Sequence, residues 1–257
     1  MSLLTERSSR VAAAVKLHRH IGRRRAASFL AEGPNLVEAA LRRGVVSEVF
    51  ATESAAERFG GLLAHAPVQL VTDRAARVLS DTVTPIGLVA VCSIPETSLS
   101  DVMAGNPTLV AIAVDISEPG NAGTVIRIAD AMGADAVILA GNSVDPYNGK
   151  CLRASAGSIF ALPVLEEPDV GRLVNSLREA GLTTRATTLD GDQDLDGADL
   201  SAPTAWMFGS EAHGLAPEVA AMADERVTIP MSGGAESLNV ATAAAICLYQ
   251  SARAFRR

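Results

Sequence analysis

Apolar residues recur along this chain in two alternating rhythms, one helical and one made of short continuous runs. Residues 5–30 carry the helical period, with Val11, Val15 and Leu17 set among basic residues. Phe29–Pro34 then reads as a short strand turning into a loop, Asn35 as the cap of a helix over Leu36–Arg43, and Gly44 as its end. Val45–Ala51, Val68–Val71 and Leu88–Cys92 are β-type runs, the first two separated by a helical stretch. Strand and helix patterns alternate, which predicts a small α/β module. Ser93–Pro107, with its Pro, Ser, Thr and Gly, reads as a linker.

Past this stretch the runs become apolar on both faces: Leu109–Val114, Ala136–Leu139, Thr183–Thr188, Ala205–Phe208 and Arg226–Ile229. Helical patterns over Thr124–Met132, Val170–Ala180, Pro217–Met222 and Ser237–Ala254 lie between and after them. The alternation predicts a parallel sheet covered by helices on both sides, with ligands bound at the carboxyl ends of its strands. Boundaries follow at 1–97 for the first domain, 98–106 for the linker and 107–257 for the second domain.

Composition sharpens this picture. Hydrophobic residues make up 48% of the chain but aromatic ones only 4%, so aliphatic side chains must fill the interior. No apolar run approaches the ~20 residues that span a bilayer, and the polar start lacks the core of a secretory signal, so a cytoplasmic location is expected, without a membrane partner. Cys92, Cys151 and Cys247 are far apart and show no Cys-x-x-Cys pair, and His18, His20, His65 and His213 show no ligand spacing. Reduced thiols and a metal-free site follow.

Charge is unevenly placed. Residues 1–45 hold nine Lys/Arg against three Glu, +6, leaving −13 for the rest of a chain whose formal net charge is −7. A basic N-terminal region on an acidic body suits a phosphate backbone, and a solvated helix face is the bland alternative.

Three polar, glycine-punctuated clusters fall at predicted strand ends. In Glu118-Pro119-Gly120-Asn121-Ala122-Gly123, Pro and Gly permit a sharp turn before a helix, with Asn121 in the loop and Arg127 farther along among apolar neighbours. A cation in that setting meets either an internal carboxylate or a phosphate. Phe208-Gly209-Ser210-Glu211-Ala212-His213-Gly214 carries a carboxylate between glycines able to approach a small molecule closely; His213 is either a base or an ordinary loop residue. In Ile229-Pro230-Met231 and Ser237-Leu238-Asn239, Ser237 reads as a helix cap, and Asn239 either satisfies backbone groups or touches a ligand.

The segments Asp115–Leu139, Tyr147–Pro163, Phe208–Leu215 and Ile229–Tyr249 resemble, in order and spacing, the motifs of the SpoU/TrmH branch of the SPOUT RNA methyltransferases. Asn-x-Gly-x-x-x-Arg, Gly-x-Glu-x-x-Gly and Ile-Pro-Met…Glu-Ser-Leu-Asn-Val occur together. Glu32-Gly33-Pro34-Asn35-Leu36-Val37-Glu38 also resembles the RNA substrate-binding domain, similar to small ribosomal-protein modules, of two-domain members such as thiostrepton-resistance-type enzymes.

This resemblance implies an α/β fold whose C-terminal SPOUT domain carries a parallel sheet and a trefoil knot, a feature periodicity cannot reveal because threading is nearly absent from ordinary folds. It implies a homodimer that methylates a ribose 2′-hydroxyl, most readily in 23S ribosomal RNA, with S-adenosylmethionine as donor. Carried onto this chain, the catalytic set is Arg127, Asn121, Glu211, Ser237 and Asn239. The donor would rest on Thr187, Thr188, Gly209, Ser210, Glu211, Ile229, Pro230, Met231, Ser237, Leu238, Asn239 and Val240, and RNA on Arg23, Arg24, Arg25, Arg127 and Arg153. For Arg153 an interdomain ion pair is the alternative. The chain departs from the family pattern at Ile128-Ala129, in the slight loop Ser232-Gly233-Gly234-Ala235 and in the acidic stretch Asp190–Asp199. Competing readings are a transfer-RNA methyltransferase of the same family, a non-catalytic RNA-binding protein, and a nucleotide-dependent oxidoreductase, which would need a glycine fingerprint absent here.

Overall fold

The computed structural model describes residues 3–255; the first two residues of the expected first domain and the last two of the second lie outside them. In chain order the elements are α1 (Ser9–Val15), α2 (His20–Ala26), β1 (Ser28–Glu32), α3 (Pro34–Arg43), β2 (Val46–Ala51), α4 (Glu53–Arg58), α5 (Gly60–Leu63), β3 (Val68–Leu70), α6 (Asp73–Leu79) and β4 (Leu88–Ser93). There follow α7 (Leu99–Ala104), β5 (Leu109–Val114), α8 (Pro119–Met132), β6 (Ala136–Ala140), α9 (Gly149–Ser155), β7 (Val164–Glu167), α10 (Val170–Glu179) and β8 (Thr183–Thr187). The chain continues through β9 (Gln193–Asp194), β10 (Thr204–Phe208), α11 (Pro217–Ala220), β11 (Glu225–Thr228) and α12 (Val240–Phe255). None of these helices is long and apolar enough to cross a membrane.

Two compact units emerge. The first comprises the described residues up to Glu96 together with Tyr147–Ala161. Its sheet runs β1-β4-β2-β3, antiparallel except for the parallel pair β2–β3. Val11, Leu17, Leu30, Phe50, Val71, Leu79 and Val89 form a core between this sheet and the flanking helices. The excursion Tyr147–Ala161 belongs to it through its rings: Tyr147 and Phe160 lie 4.7 and 6.0 Å from Phe29, centroid to centroid. The expected cap Asn35 is instead inside α3, because Pro34 takes the first helical position, where its missing N–H costs nothing, and Gly33 precedes it at φ +89°.

The second unit, Thr97–Pro146 and the described residues from Leu162 onward, is built on a seven-stranded sheet in the order β7-β6-β5-β10-β8-β11-β9, parallel throughout. Every residue of β5, β6 and β10 is buried, as strands sandwiched between helix layers require. α12 covers β10 and packs on α8, and Trp206 Nε1 donates to Ser251 Oγ at 2.9 Å, which satisfies two buried polar groups at once. The stretch whose composition reads as a linker carries a helix, α7, opened by a capping box between Ser98 and Asp101, with Val102 in the core of this unit.

Candidate active site at the switch point of the large sheet

Strand order reverses between β5 and β10: β6 and β7 continue from β5 on one side, β8 and β11 flank β10 on the other. At such a reversal the loops leaving two neighbouring strands diverge and open a crevice. Here those loops carry the first two clusters, so Asn121 and Glu211 meet across 90 residues of sequence. The cleft has a volume of about 720 Å³ and is lined by Asp115, Glu118, Asn121, Glu211, His213 and Asn239 among others.

Its floor is shaped by backbone that only certain residues permit. Gly209 is buried where the loop doubles back; a Cβ there would lie 2.0 Å from the Gly214 carbonyl carbon and 2.1 Å from the Leu215 nitrogen. Ser210 and Gly214 close that loop by exchanging both backbone hydrogen bonds, at 3.1 and 2.9 Å. Asp115, directly after β5, takes the left-handed conformation at φ +53° and accepts the Asn142 N–H at 2.7 Å. Sequence reasoning gave no role to Asp115 or Glu118; the available signal was a carboxylate following a fully apolar strand. Glu118 caps α8 by accepting the Gly120 N–H at 3.1 Å. With Pro119 at its first position, α8 begins earlier than its apolar pattern predicts, so Asn121 sits in the first helical turn rather than in a loop.

The three clusters are joined by a directional hydrogen-bond relay. α12 starts at Val240, and Asn239, not Ser237, caps it: Asn239 Oδ1 accepts the N–H groups of Ala241 at 2.9 Å and Thr242 at 3.4 Å. That fixes its amide orientation, so Nδ2 donates to Asn121 Oδ1 at 3.2 Å. Asn121 in turn donates through Nδ2 to Glu211 Oε1 at 2.6 Å. The helix terminus thereby sets the polarity of every group up to the carboxylate.

Thr187, Gly209 and Ile229 lie at the ends of β8, β10 and β11, which are consecutive in the sheet, so their loops form one strip. Thr187 Oγ1 donates to the Met207 carbonyl at 3.0 Å, and the Thr188 N–H to Val227 at 3.0 Å. Ile229 is half-buried, while Pro230, Met231, Ser237 and Leu238 are exposed and Val240 is buried at the start of α12.

The expected cations separate. Arg127 projects from α8 into solvent and forms no ion pair among the described residues, so the internal-carboxylate alternative does not hold for it. Arg24 and Arg25 are exposed. Arg23 is a correction: only 5% exposed, it donates through Nη1 to the carbonyls of Leu17 and His18, both at 2.9 Å, so its guanidinium is engaged within the fold rather than offered at the surface. Arg153 pairs with Asp81 at 3.4 Å within the first unit.

A parallel sheet with a switch-point cleft at its carboxyl edge, joined to a small α/β unit with an exposed basic helix, defines a two-domain enzyme architecture. Residues 108–249 match the SpoU rRNA methylase family, and residues 8–90 match the MRM3-like substrate binding domain. Among curated proteins, the 23S rRNA (guanosine(2553)-2′-O)-methyltransferase RlmP of Bacillus subtilis is 34% identical over 238 residues, covering 91% of this chain and 92% of its own length. The 23S rRNA (uridine(2479)-2′-O)-methyltransferase of Streptomyces viridochromogenes is 37% identical over 66% of this chain and 61% of its own. The crystal structure of the SpoU methyltransferase AviRb from Streptomyces viridochromogenes in complex with AdoMet superimposes with a TM-score of 0.87 at 30% identity, covering 96% of this chain and 98% of that one. The chain belongs to the SpoU rRNA methylase family.

Proposed function

We propose that this protein transfers a methyl group from S-adenosylmethionine to a ribose 2′-hydroxyl of 23S ribosomal RNA. The observation that carries the reading is the relay from Asn239 through Asn121 to Glu211, which gathers three sequence-distant clusters at the switch point of a SpoU-family sheet. The donor fits the strip formed by β8, β10 and β11. Among the described residues Thr188 Oγ1 is a buried hydroxyl without a hydrogen-bond partner, and Gly209 admits no side chain, so backbone groups line the approach. Thr187, Thr188, Gly209, Ser210, Ile229, Pro230, Met231, Leu238 and Val240 would hold it. When bound, S-adenosylmethionine would supply the methyl group and take up the electrons of the broken C–S bond as a neutral thioether, with the hydroxyl proton passing to solvent water, so the protein's task is alignment and stabilisation of the oxygen.

Arg127 acts on the hydroxyl by stabilising developing negative charge on oxygen and by holding an adjacent phosphate. Asn121 and Glu211 fix the attacking edge; Asn239 holds Asn121, and Ser237 closes the exposed side. Arg127→Ala is expected to lower transfer by at least about a hundredfold, the scale of losing one preorganised charge-stabilising group, with donor binding by calorimetry nearly unchanged. Parallel loss of donor binding would assign Arg127 to the scaffold instead.

The same reading includes a homodimer, a trefoil knot in the catalytic unit, domain roles close to the 1–97 and 107–257 division, and a cytoplasmic setting. Support for the dimer is the apolar surface on and before α12, where Tyr249 is 52% exposed and Met231 and Leu238 each 37%. Sedimentation of the full chain as a monomer at micromolar concentration would remove it. The relatives act on guanosine in one case and uridine in the other. Mapping ribose methylation in ribosomal and transfer RNA from cells with and without the protein identifies the nucleotide.

A further inference from the structure

α2 inverts the usual pattern of a surface helix. Its one arginine in register with the core, Arg23, is buried, whereas Ile21 is 80% exposed. At 100° per residue, Arg24 and Arg25 stand three and four positions beyond Ile21 and share its outward face, opposite Arg23. Arg19, at the cap position, is exposed as well, and among the described residues Arg19, Arg24 and Arg25 have no acidic partner.

The turn that presents this face is stiff. Gly22 passes so close to the preceding 3₁₀ turn at Lys16–His18 that a Cβ would lie 2.0 Å from the Lys16 carbonyl oxygen. Arg23 clamps the same turn by donating to the carbonyls of Leu17 and His18. A buried guanidinium is tolerated because it satisfies carbonyls at the end of that turn, where negative partial charge collects.

We propose that Gly22 and Arg23 form a latch that preorganises α2 as an RNA-contacting element, with Arg19, Arg24 and Arg25 on phosphates and Ile21 against an unstacked base. The proposal rests on the methyltransferase reading for its choice of RNA as partner. Exposed cations flanking one apolar side chain on a held helix match a single-stranded or looped segment, whose bases are open to contact while its backbone remains densely charged. Arg23 is a positioning residue, and the sequence run Arg23-Arg24-Arg25 divides into one inward anchor and two outward ligands.

The test uses the full chain and a fragment of 23S ribosomal RNA, with affinity measured across a salt series. Arg24→Ala/Arg25→Ala is expected to weaken binding about tenfold or more at low salt and to reduce the logarithmic salt slope by about 1.5, as loss of two phosphate contacts requires. Ile21→Ser is expected to weaken binding severalfold with the slope unchanged. Arg23→Lys keeps the charge but loses the two-carbonyl clamp. It should speed amide hydrogen exchange over residues 19–26 in the free protein, which Arg24→Ala/Arg25→Ala should not. Unchanged affinity in the double variant, or unchanged exchange in Arg23→Lys, overturns the proposal. S-adenosylmethionine binding, followed in parallel by calorimetry, tests the enzymatic reading separately: its absence in the unsubstituted protein sinks that reading and leaves the α2 result standing.

Discussion

Asn239 shows how one side chain can cap a helix with one end and orient a neighbouring side chain with the other. Its oxygen caps α12 and its nitrogen orients Asn121. Asn239→Asp separates the two duties. The carboxylate still accepts the helix N–H groups, so stability should hold within about 0.5 kcal/mol, whereas Asn239→Ala should cost about 1 kcal/mol. The aspartate, however, faces Asn121 Oδ1 without a proton to donate. Asn121 then turns its own oxygen toward Glu211, and methyl transfer should fall as steeply in the aspartate as in the alanine variant; thermal melts beside single-turnover rates check this. The residues of the relay were legible in the sequence because they stand in recognisable motifs. Their polarity was not, since it depends on α12 beginning at Val240 rather than Ser237, a boundary that alanine-rich periodicity leaves open. Arg23 was misleading for a related reason: three adjacent arginines look alike until the azimuth of each around α2 is known.

Among elements, the central strands were the clearest to read, because unbroken apolar runs such as Leu109–Val114 have few other uses. Less visible were β7, a short edge strand ending in Glu166-Glu167, and α9, which lacks a strong apolar stripe. α7 was hidden inside polar composition although Ser98-x-x-Asp101 is a recognisable start signal. The register of β11 beside β8 is fixed at its entry by Asp224. Burial works against its charge, but the Thr184 N–H at 2.8 Å, the Thr184 hydroxyl at 2.6 Å and Arg178 Nε at 2.7 Å outweigh it and hold the carboxyl below its ordinary pKa. A carboxyl depressed in the folded state stabilises the fold above its unfolded pKa, and that contribution disappears as pH falls through the folded value. Asp224→Asn should therefore destabilise by about 1 kcal/mol at pH 7, and the difference from the unsubstituted protein should shrink as pH falls through the acid range, measured by denaturant titration at a series of pH values.

For the whole molecule, sequence order and spatial grouping disagree in one place. The segment between β6 and β7 is built into the first unit, where Tyr147, Cys151, Leu152, Ile159 and Phe160 are all buried. A fragment starting at Thr97 keeps every strand of the large sheet but strips these side chains of Phe29 and its neighbours. It should bind a hydrophobic dye and aggregate at concentrations where the full chain stays dispersed. A monodisperse fragment with native donor affinity would show that the segment refolds onto the sheet by itself. Composition could not have announced this excursion, because apolar residues look the same whichever core receives them.

The excursion also decides how the first unit could be transplanted between relatives. The first unit is not a terminal cassette that can be cut once and exchanged, because part of its interior is encoded downstream, between residues 147 and 161. A chimaera taking residues 1–96 from one parent must take that second stretch from the same parent, or inherit a mismatched core from both.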